Sequence, residues 1–439
     1  MEATLLYAFG PYLLDPYQRI LLKQDVLIPL DPQAFEVLRV LVQHAGQIIR
    51  RDDLIDAAWS EDDDPGDSAL SFQLYTLRRV LGDDHKKPAY IEVRRGRGVR
   101  FLSEVRTLAV NRPETITEAD KLYMKGRHFW HKSSSVSVTK AVEYFERATA
   151  KDPNYAAAYA GLADSWILLG TFGHQSVPAT VAMPKAKDAA LKALALNKYL
   201  AEAHSAMAAV KALYEWKWDE AEKYFQTAVR LSTNPMTRAW YALCLAGRND
   251  SRKAREVINE ALDHAPASFV LLALSGRIHY LAREYERAVE CCLQGIEVEE
   301  HFYLSYIFLG HTYRAQGNYS EALTSFESAR HLTGDDPIVL AEIANINALL
   351  DDRDKSLALL GKVKRISRDR YVSPHTMGII HIGLGNKDEA FKYLEKVYDE
   401  RGAYLIFLTS EPIYDTLRTD VRMSDLIRRV GFASKDSEV

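Results

Sequence analysis

Small residues recur every 34 positions through the second half of this chain: Ala208, Ala242, Gly276, Gly310, Ala344 and Gly378. A second series, Ala254, Ala288, Ala322, Ser356 and Ala390, keeps the same spacing of 34. Four positions after each of these comes a larger side chain: Ile258, Cys292, Phe326, Leu360 and Leu394. A fixed period of this length means that one supersecondary unit is repeated. The small residue lets two helices approach closely, and the large one fills the gap between units. No unit buries its apolar face alone, so the units stack into a solenoid.

The period and its pattern resemble tetratricopeptide repeats. The cleanest unit reads Tyr306, Leu309, Gly310, Tyr313, then Ala322, Phe326 and Ala329. Earlier units are stretched. Ala141, Phe145, Ala148 and Pro153 match a second helix, with Tyr159, Leu162 and Trp166 in the next first helix. Thr171–Pro184 reads as a long intruding loop before Ala186, Ala190 and Ala193. Residues 402–432 leave the pattern and are expected to cap the array, which has about seven or eight units.

The first hundred residues have another texture. Leu5–Phe9, Tyr12–Leu14, Ile20–Leu22 and Val26–Leu30 are short β-type runs separated by turn signals. A helix then starts at Pro32 with Asp31 as its cap, carries Phe35, Leu38, Leu41 and Val42 on one stripe, and ends at Gly46. Further helices are expected at Arg51–Trp59 and Ser68–Leu81, with the acidic stretch 61–67 between them. Tyr90–Arg94 and Val99–Leu102 flank Arg95-Gly96-Arg97-Gly98, a hairpin with a basic glycine turn. Residues 106–117, centred on Asn111-Arg112-Pro113, read as a linker.

Residues 5–102 resemble the winged-helix DNA-binding domain of OmpR/PhoB-type bacterial regulators. The ordered set that carries the resemblance includes Leu30-Asp31-Pro32-Gln33-Ala34-Phe35, Ala58-Trp59, Leu77-Arg78-Arg79-Val80-Leu81-Gly82-Asp83 and Tyr90-Ile91-Glu92-Val93 leading to Arg95–Phe101. Joined to downstream repeats, it is similar to the CadC/HilA-like one-component branch, but with no spanning helix in the linker. No receiver domain is expected before it, so phosphorylation logic is not expected to carry over. The expected fold is multidomain and mostly α: an α+β winged helix-turn-helix (1–105), a linker (106–117), an all-α tetratricopeptide-repeat solenoid (118–401) and a capping segment with its tail (402–439).

The third helix can be read from its own residues. Leu70, Leu74, Leu77 and Leu81 form an apolar stripe that belongs on the domain core. The opposite face carries Ser68, Ser71, Phe72, Tyr75, Thr76 and Arg79. On a recognition helix, Phe72 would press on thymine methyls while Thr76 and Arg79 reach base edges or phosphates. The other reading packs Phe72 and Tyr75 on the wing or on a partner. Thr76 stands where the family often has a basic residue. Between Thr76 and Phe101 there are eight basic and three acidic residues, a basic patch that would orient the domain on phosphates. Arg78, Arg79, Arg95 and Arg97 are the expected DNA contacts within it. Glu61, Asp62, Asp63 and Asp64 lie where the family places a loop that touches RNA polymerase; a plain linker fits them equally well.

The rest of the composition narrows the function. The formal charge of -4 excludes a uniformly basic coat. Three cysteines, Cys244, Cys291 and Cys292, make neither a disulfide framework nor a four-thiolate zinc site. Thirteen histidines are scattered without a paired metal motif, and neither a phosphate-binding Gly-x-x-x-x-Gly-Lys nor a Gly-x-Ser-x-Gly elbow occurs. Gly361-Lys362 lacks the upstream glycine. No catalytic residue, metal or cofactor is expected. The uncharged stretches Ser165–Pro184 and Tyr371–Asn386 are broken by Gly, Pro and His, so no membrane span is expected.

First helices of such arrays line the concave side, and the family's groove positions fall on Ser205, Arg277, Tyr280, His311, Arg314 and Asn345. Arg277, His311 and Arg314 could converge on a carboxylate or phosphate; a merely hydrated groove is the alternative. The expected whole is a cytoplasmic regulator that binds double-stranded DNA and whose repeats take a protein, peptide or small-molecule effector or form a homodimer. A non-catalytic scaffold whose winged helix has lost DNA binding, and an accessory subunit recruited through the repeats, are the rivals.

Overall fold

The structure, a computed structural model, describes residues 4–432 apart from 17–18, 24–25, 29, 31, 60–66, 85, 95, 111–116, 132–134, 172–175 and 233. The chain divides into two compact units, one of Met1–Thr117 with Arg230–Thr233, the other of Glu118–Val229 and Asn234–Val439.

In the first unit, β1 (Thr4–Phe9), β2 (Tyr12–Asp15), β3 (Ile20–Lys23) and β4 (Val26–Ile28) run as an antiparallel meander. Three helices follow, α1 (Pro32–Gln43), α2 (Arg51–Ala58) and α3 (Asp67–Leu81), with β5 (Ile48–Ile49) between the first two. The hairpin β6 (Ile91–Arg94) and β7 (Gly98–Phe101) pairs with β5 in a three-stranded sheet of order β5-β7-β6. One core serves all of it. Phe9, Phe35, Leu38, Leu54, Val99 and Phe101 are buried, and so are Leu70, Leu74, Leu77 and Leu81, the expected stripe of α3. The expected Asp31 cap falls outside the described residues.

The linker expectation needs correction. Arg106–Val110 is a fifth strand, β8, paired antiparallel along all of its length with β1, Thr4 opposite Val110 and Ala8 opposite Arg106. The sheet order is β4-β3-β2-β1-β8. An unpaired β1 edge would leave a row of backbone groups open, and Thr107 to Val110 has the residues to fill it.

In the second unit, eight helix pairs run from Glu118–His131 to Lys387–Asp399 among the described residues. Small residues sit where close approach demands them: a Cβ on Gly310 would lie 2.6 Å from the ring of Phe326. The turn inside each of the last five pairs repeats as well. Asn249, Arg283, Gly317, Asp351 and Gly385, each 34 after the last, all have φ between +63° and +81°. The expected loop 171–184 is shorter than its sequence suggests. A helix, Ala179–Leu196, begins inside it and tolerates Pro184 near its start, where only one ladder bond is lost.

Residues 402–432 do more than cap the last repeat. Leu405, Leu408, Tyr414, Leu417, Met423 and Leu426 pack on the helix Lys387–Asp399, as a cap should. Ala403, Ile406 and Phe407 instead join the core of the middle repeats, with Leu213, Leu243 and Tyr280. Ile406 lies so close to Gly247 that a Cβ there would touch it at 3.0 Å. The end of the array also meets its third pair: Trp216 packs on Tyr398 at 5.2 Å, Trp218 on Phe432 at 5.2 Å, and the Arg401 guanidinium covers Trp216 at 4.2 Å. Among the described residues no helix is long and apolar enough to cross a membrane.

Candidate nucleic-acid interface and array groove

Two places gather the sequence-derived site residues. The first is α3 and the hairpin beside it. With its leucine stripe buried, α3 turns Phe72 and Tyr75 outward, 46% and 63% exposed. Arg79 is exposed on the same helix and Thr76 is half-buried. Arg97 is exposed at the hairpin turn, where its N–H donates to the Arg94 carbonyl at 3.0 Å. The side chain of Ser68 and all of Arg95 lie outside the described residues, as do Glu61, Asp62, Asp63 and Asp64.

Two expected contacts, Arg78 and Ser71, are engaged within the domain instead. The Arg78 guanidinium donates to the carbonyl of Ile91 at 3.1 Å, tying α3 to the hairpin. Arg51 donates to the Ser71 hydroxyl at 2.8 Å, tying α2 to α3. Both are positioning residues in this geometry. Arg94 and Arg100 are also spent locally: each pairs with Glu92, at 3.0 and 2.8 Å, and they hold its carboxyl below the usual carboxylate range, Arg94 most strongly. Among the described residues of this patch, Arg79 on the helix, Arg97 on the turn, and Lys86 and Lys87 in the loop between are exposed positive groups.

Asp83 is a residue whose role sequence reasoning missed. Its carboxylate accepts the backbone N–H groups of Ala89, Tyr90 and Ile91 at 2.6, 3.1 and 2.8 Å. Gly82, at φ +65°, ends α3 so that the Asp83 N–H reaches the Arg78 carbonyl at 2.8 Å. This clasp fixes where the hairpin stands relative to α3. A Gly-Asp pair closing a helix was the available signal. At the other end of the hairpin, Gly98 has φ +132°, and a Cβ there would run into the Ile49 carbonyl of β5.

Residues 24–101 match the family model described as "Transcriptional regulatory protein, C terminal". The N-terminal unit carries an OmpR/PhoB-type winged-helix domain. Two stretches of the array, 305–338 and 375–403, match tetratricopeptide-repeat models. The winged-helix segment is 32% identical over 97 residues to the transcriptional regulator HilA of Salmonella typhimurium, spanning 22% of this chain and 17% of that one. It is 34% identical over 70 residues to the transcriptional regulatory protein CutR of Streptomyces coelicolor, 16% of this chain and 32% of the relative. The chain thus spans a minor part of these relatives. Among solved structures, the DNA-binding domain of Klebsiella pneumoniae RstA, in complex with the RstA box, is similar at 29% identity and a TM-score of 0.21, covering 22% of this chain and 96% of that one.

The second place is the groove. The first helices do bring Arg277, Tyr280, His311, Arg314 and Asn345 together, and all five are buried. Ser205, on the helix Ala201–Val210, is not part of the cluster. The carboxylates that the cluster was expected to recruit come from the chain itself. Glu411 of the C-terminal segment pairs with both terminal nitrogens of Arg277 and accepts the Tyr280 hydroxyl at 2.5 Å. Glu342 pairs with Arg314 and meets His311 Nε2 at 3.0 Å. Arg314 also donates to Asn345, whose amide donates to the Ile379 carbonyl at 2.8 Å. Burial opposes ionisation of both carboxyls. For Glu342, Arg314 and His311 outweigh it; for Glu411, Arg277 and His311 do, so both stay below the usual range. The hydrated-groove alternative is thereby corrected as well: this stretch of groove is filled by residues 403–414.

The remaining candidates are structural in their surroundings. Cys244, Cys291 and Cys292 are buried thiols, and burial pushes Cys244 up to about 12 and Cys292 higher still, away from the reactive thiolate. Among the described residues no three His, Cys, Asp or Glu side chains gather as a metal site.

Proposed function

We propose that this protein is a sequence-specific DNA-binding regulator of transcription, working in the cytoplasm, whose repeat array meets a protein, peptide or small-molecule effector or a second copy of the chain. One observation carries the reading: α3 leaves Phe72, Tyr75 and Arg79 uncovered on the face opposite its buried stripe, in a domain matched to transcriptional regulators. An outward phenylalanine has no role in the domain's own core, and beside a basic turn it suits a major groove with phosphates at its rim. Glu61 to Asp64 would form the contact with RNA polymerase. The scaffold alternative draws on Ser71 and Arg78, which serve internal bonds in place of DNA.

The test is a titration of residues 1–110, which include β8, against duplex DNA from upstream of the protein's own gene at two salt concentrations. Binding should weaken steeply as salt rises, because phosphate contacts release counterions. Failure to bind any duplex at about 50 mM salt, where such contacts are strongest, would favour the scaffold.

A further inference from the structure

An array that needed only a plug for its groove would be served by apolar side chains. Residues 403–418 supply those in Ile406 and Phe407, but they also bring a carboxylate into a buried cage of two guanidiniums, an imidazole and a second carboxylate. Buried charges cost heavily unless their geometry is met, so such a contact is directional and set in register. The segment is also built like a ligand. Arg418 donates to the carbonyls of Leu408 and Glu411 at 2.8 and 2.9 Å and pairs with Asp415, so the stretch around Glu411 holds its own bound shape. Asp415 reaches an exposed, two-pronged pair with Arg283 at 2.7 Å on each arm. Beside these matched groups, Thr409 Oγ1 and Ser410 Oγ are buried with no partner. Both its ends stay fastened, at the helix Lys387–Asp399 on one side and through Arg422–Asp388 and Arg429–Glu395 on the other.

We propose that residues 403–418 are a built-in, displaceable occupant of the array, in which Glu411 takes the place of an acidic side chain on an effector peptide that competes for Arg277 and Tyr280. The effector's chemistry is then that of the segment: a carboxylate followed by proline and an aromatic residue, as in Glu411-Pro412-Ile413-Tyr414. Because the resident segment is tethered at both ends, it competes at high effective concentration, and only a matched peptide displaces it. The inference rests on the array being the interaction half of the protein. DNA binding by residues 1–110 enters none of the readouts below, so either reading can fail alone.

The experiment uses the full chain, its Glu411→Gln variant and a labelled peptide spanning residues 409–418. Hydrogen exchange, followed by mass spectrometry, should show amides of 403–418 opening before those of the helices Phe269–Leu281 and Tyr303–Ala315. Glu411→Gln should speed exchange of the segment by about a hundredfold and of those helices by less than about threefold, since it strips the charge facing Arg277. The peptide should bind Glu411→Gln at least about tenfold more tightly than the unaltered chain, and a peptide carrying Gln in place of Glu should bind neither. Should Glu411→Gln fail to fold, Arg283→Ala loosens the exposed anchor without stranding a buried charge, and should raise exchange and peptide affinity in the same direction. Exchange of the segment only together with the array helices, or equal peptide binding with and without the substitutions, would overturn the proposal.

Discussion

Replacing Phe72 by alanine separates base reading from phosphate attraction. Phe72 leaves 46% of its area open. For a side chain of about 200 Å², that is roughly 90 Å² for DNA to cover, and at about 25 cal/mol per Å² the contact is worth at most about 2 kcal/mol. The ceiling is therefore roughly a 30-fold loss of affinity. The covered part costs at most about 2–3 kcal/mol by the same arithmetic, within the 5–15 kcal/mol typical of a folded domain, so the variant stays folded. No charge is removed, so the slope of log affinity on log salt should not change. The assay is fluorescence anisotropy at four salt concentrations on a duplex selected from a random pool and on its scrambled counterpart. The loss should fall on the selected duplex alone. Equal loss on both duplexes, or unchanged discrimination, would mean that Phe72 reads no base; an unfolded variant would refute its placement on the outer face.

Arg97→Ala should weaken binding about evenly across sequences and lower the salt slope by about one, read from the same titrations. Asp83→Ala removes the acceptor of three backbone N–H groups and should destabilise residues 1–110 by about 3 kcal/mol in urea unfolding followed through Trp59. Gly98→Ala should part β7 from β5 and cost both stability and DNA affinity, seen as a lower unfolding midpoint and a higher Kd, because the added Cβ meets the Ile49 carbonyl. Burial, with Arg277 and His311 adding to it against the opposing Glu342 and Glu411, lowers His375 from 6.5 to about 4, so the unfolded chain takes up the proton first and stability is lost as pH falls from 6.5 toward 4. His375→Gln should remove about 2 kcal/mol of that acid sensitivity between unfolding curves at pH 7 and pH 4.5.

What was legible in the sequence was chemistry at short range or at a fixed period. The Leu70–Leu74–Leu77–Leu81 stripe lies where spacing put it, and the small residue at Gly310 does let two helices approach closely, but Phe326 fills the space inside its own unit rather than only the gap between units. The turn series from Asn249 to Gly385 has the same period but escaped notice, because Asn, Arg, Gly and Asp share a backbone conformation there and no side-chain property. Pairings between distant segments were not legible. β8 is a strand because β1, about a hundred residues earlier, has an open edge. Glu411 reaches Arg277 across 134 residues, and nothing local to either marks the other. The groove residues were recognisable as a group that would hold a carboxylate, but not the carboxylate's source. Ser71 and Arg78 looked like DNA contacts because a helix face does not reveal which of its polar residues its own domain will claim.

The contacts of Trp216 and Trp218 with Tyr398 and Phe432 join the array's third helix pair to its end. Open repeat proteins gain and lose whole units over evolution with little penalty, since each unit touches only its neighbours. Here the C-terminal segment acts as a ruler laid across the coil. Deleting one 34-residue unit between Asn249 and Gly385 would keep every neighbour contact, yet it would carry Glu411 past Arg277 and pull the two tryptophans away from their partners. These contacts therefore tie the number of repeats in this stretch to a single value, and relatives that keep them should vary in repeat sequence far more freely than in repeat count.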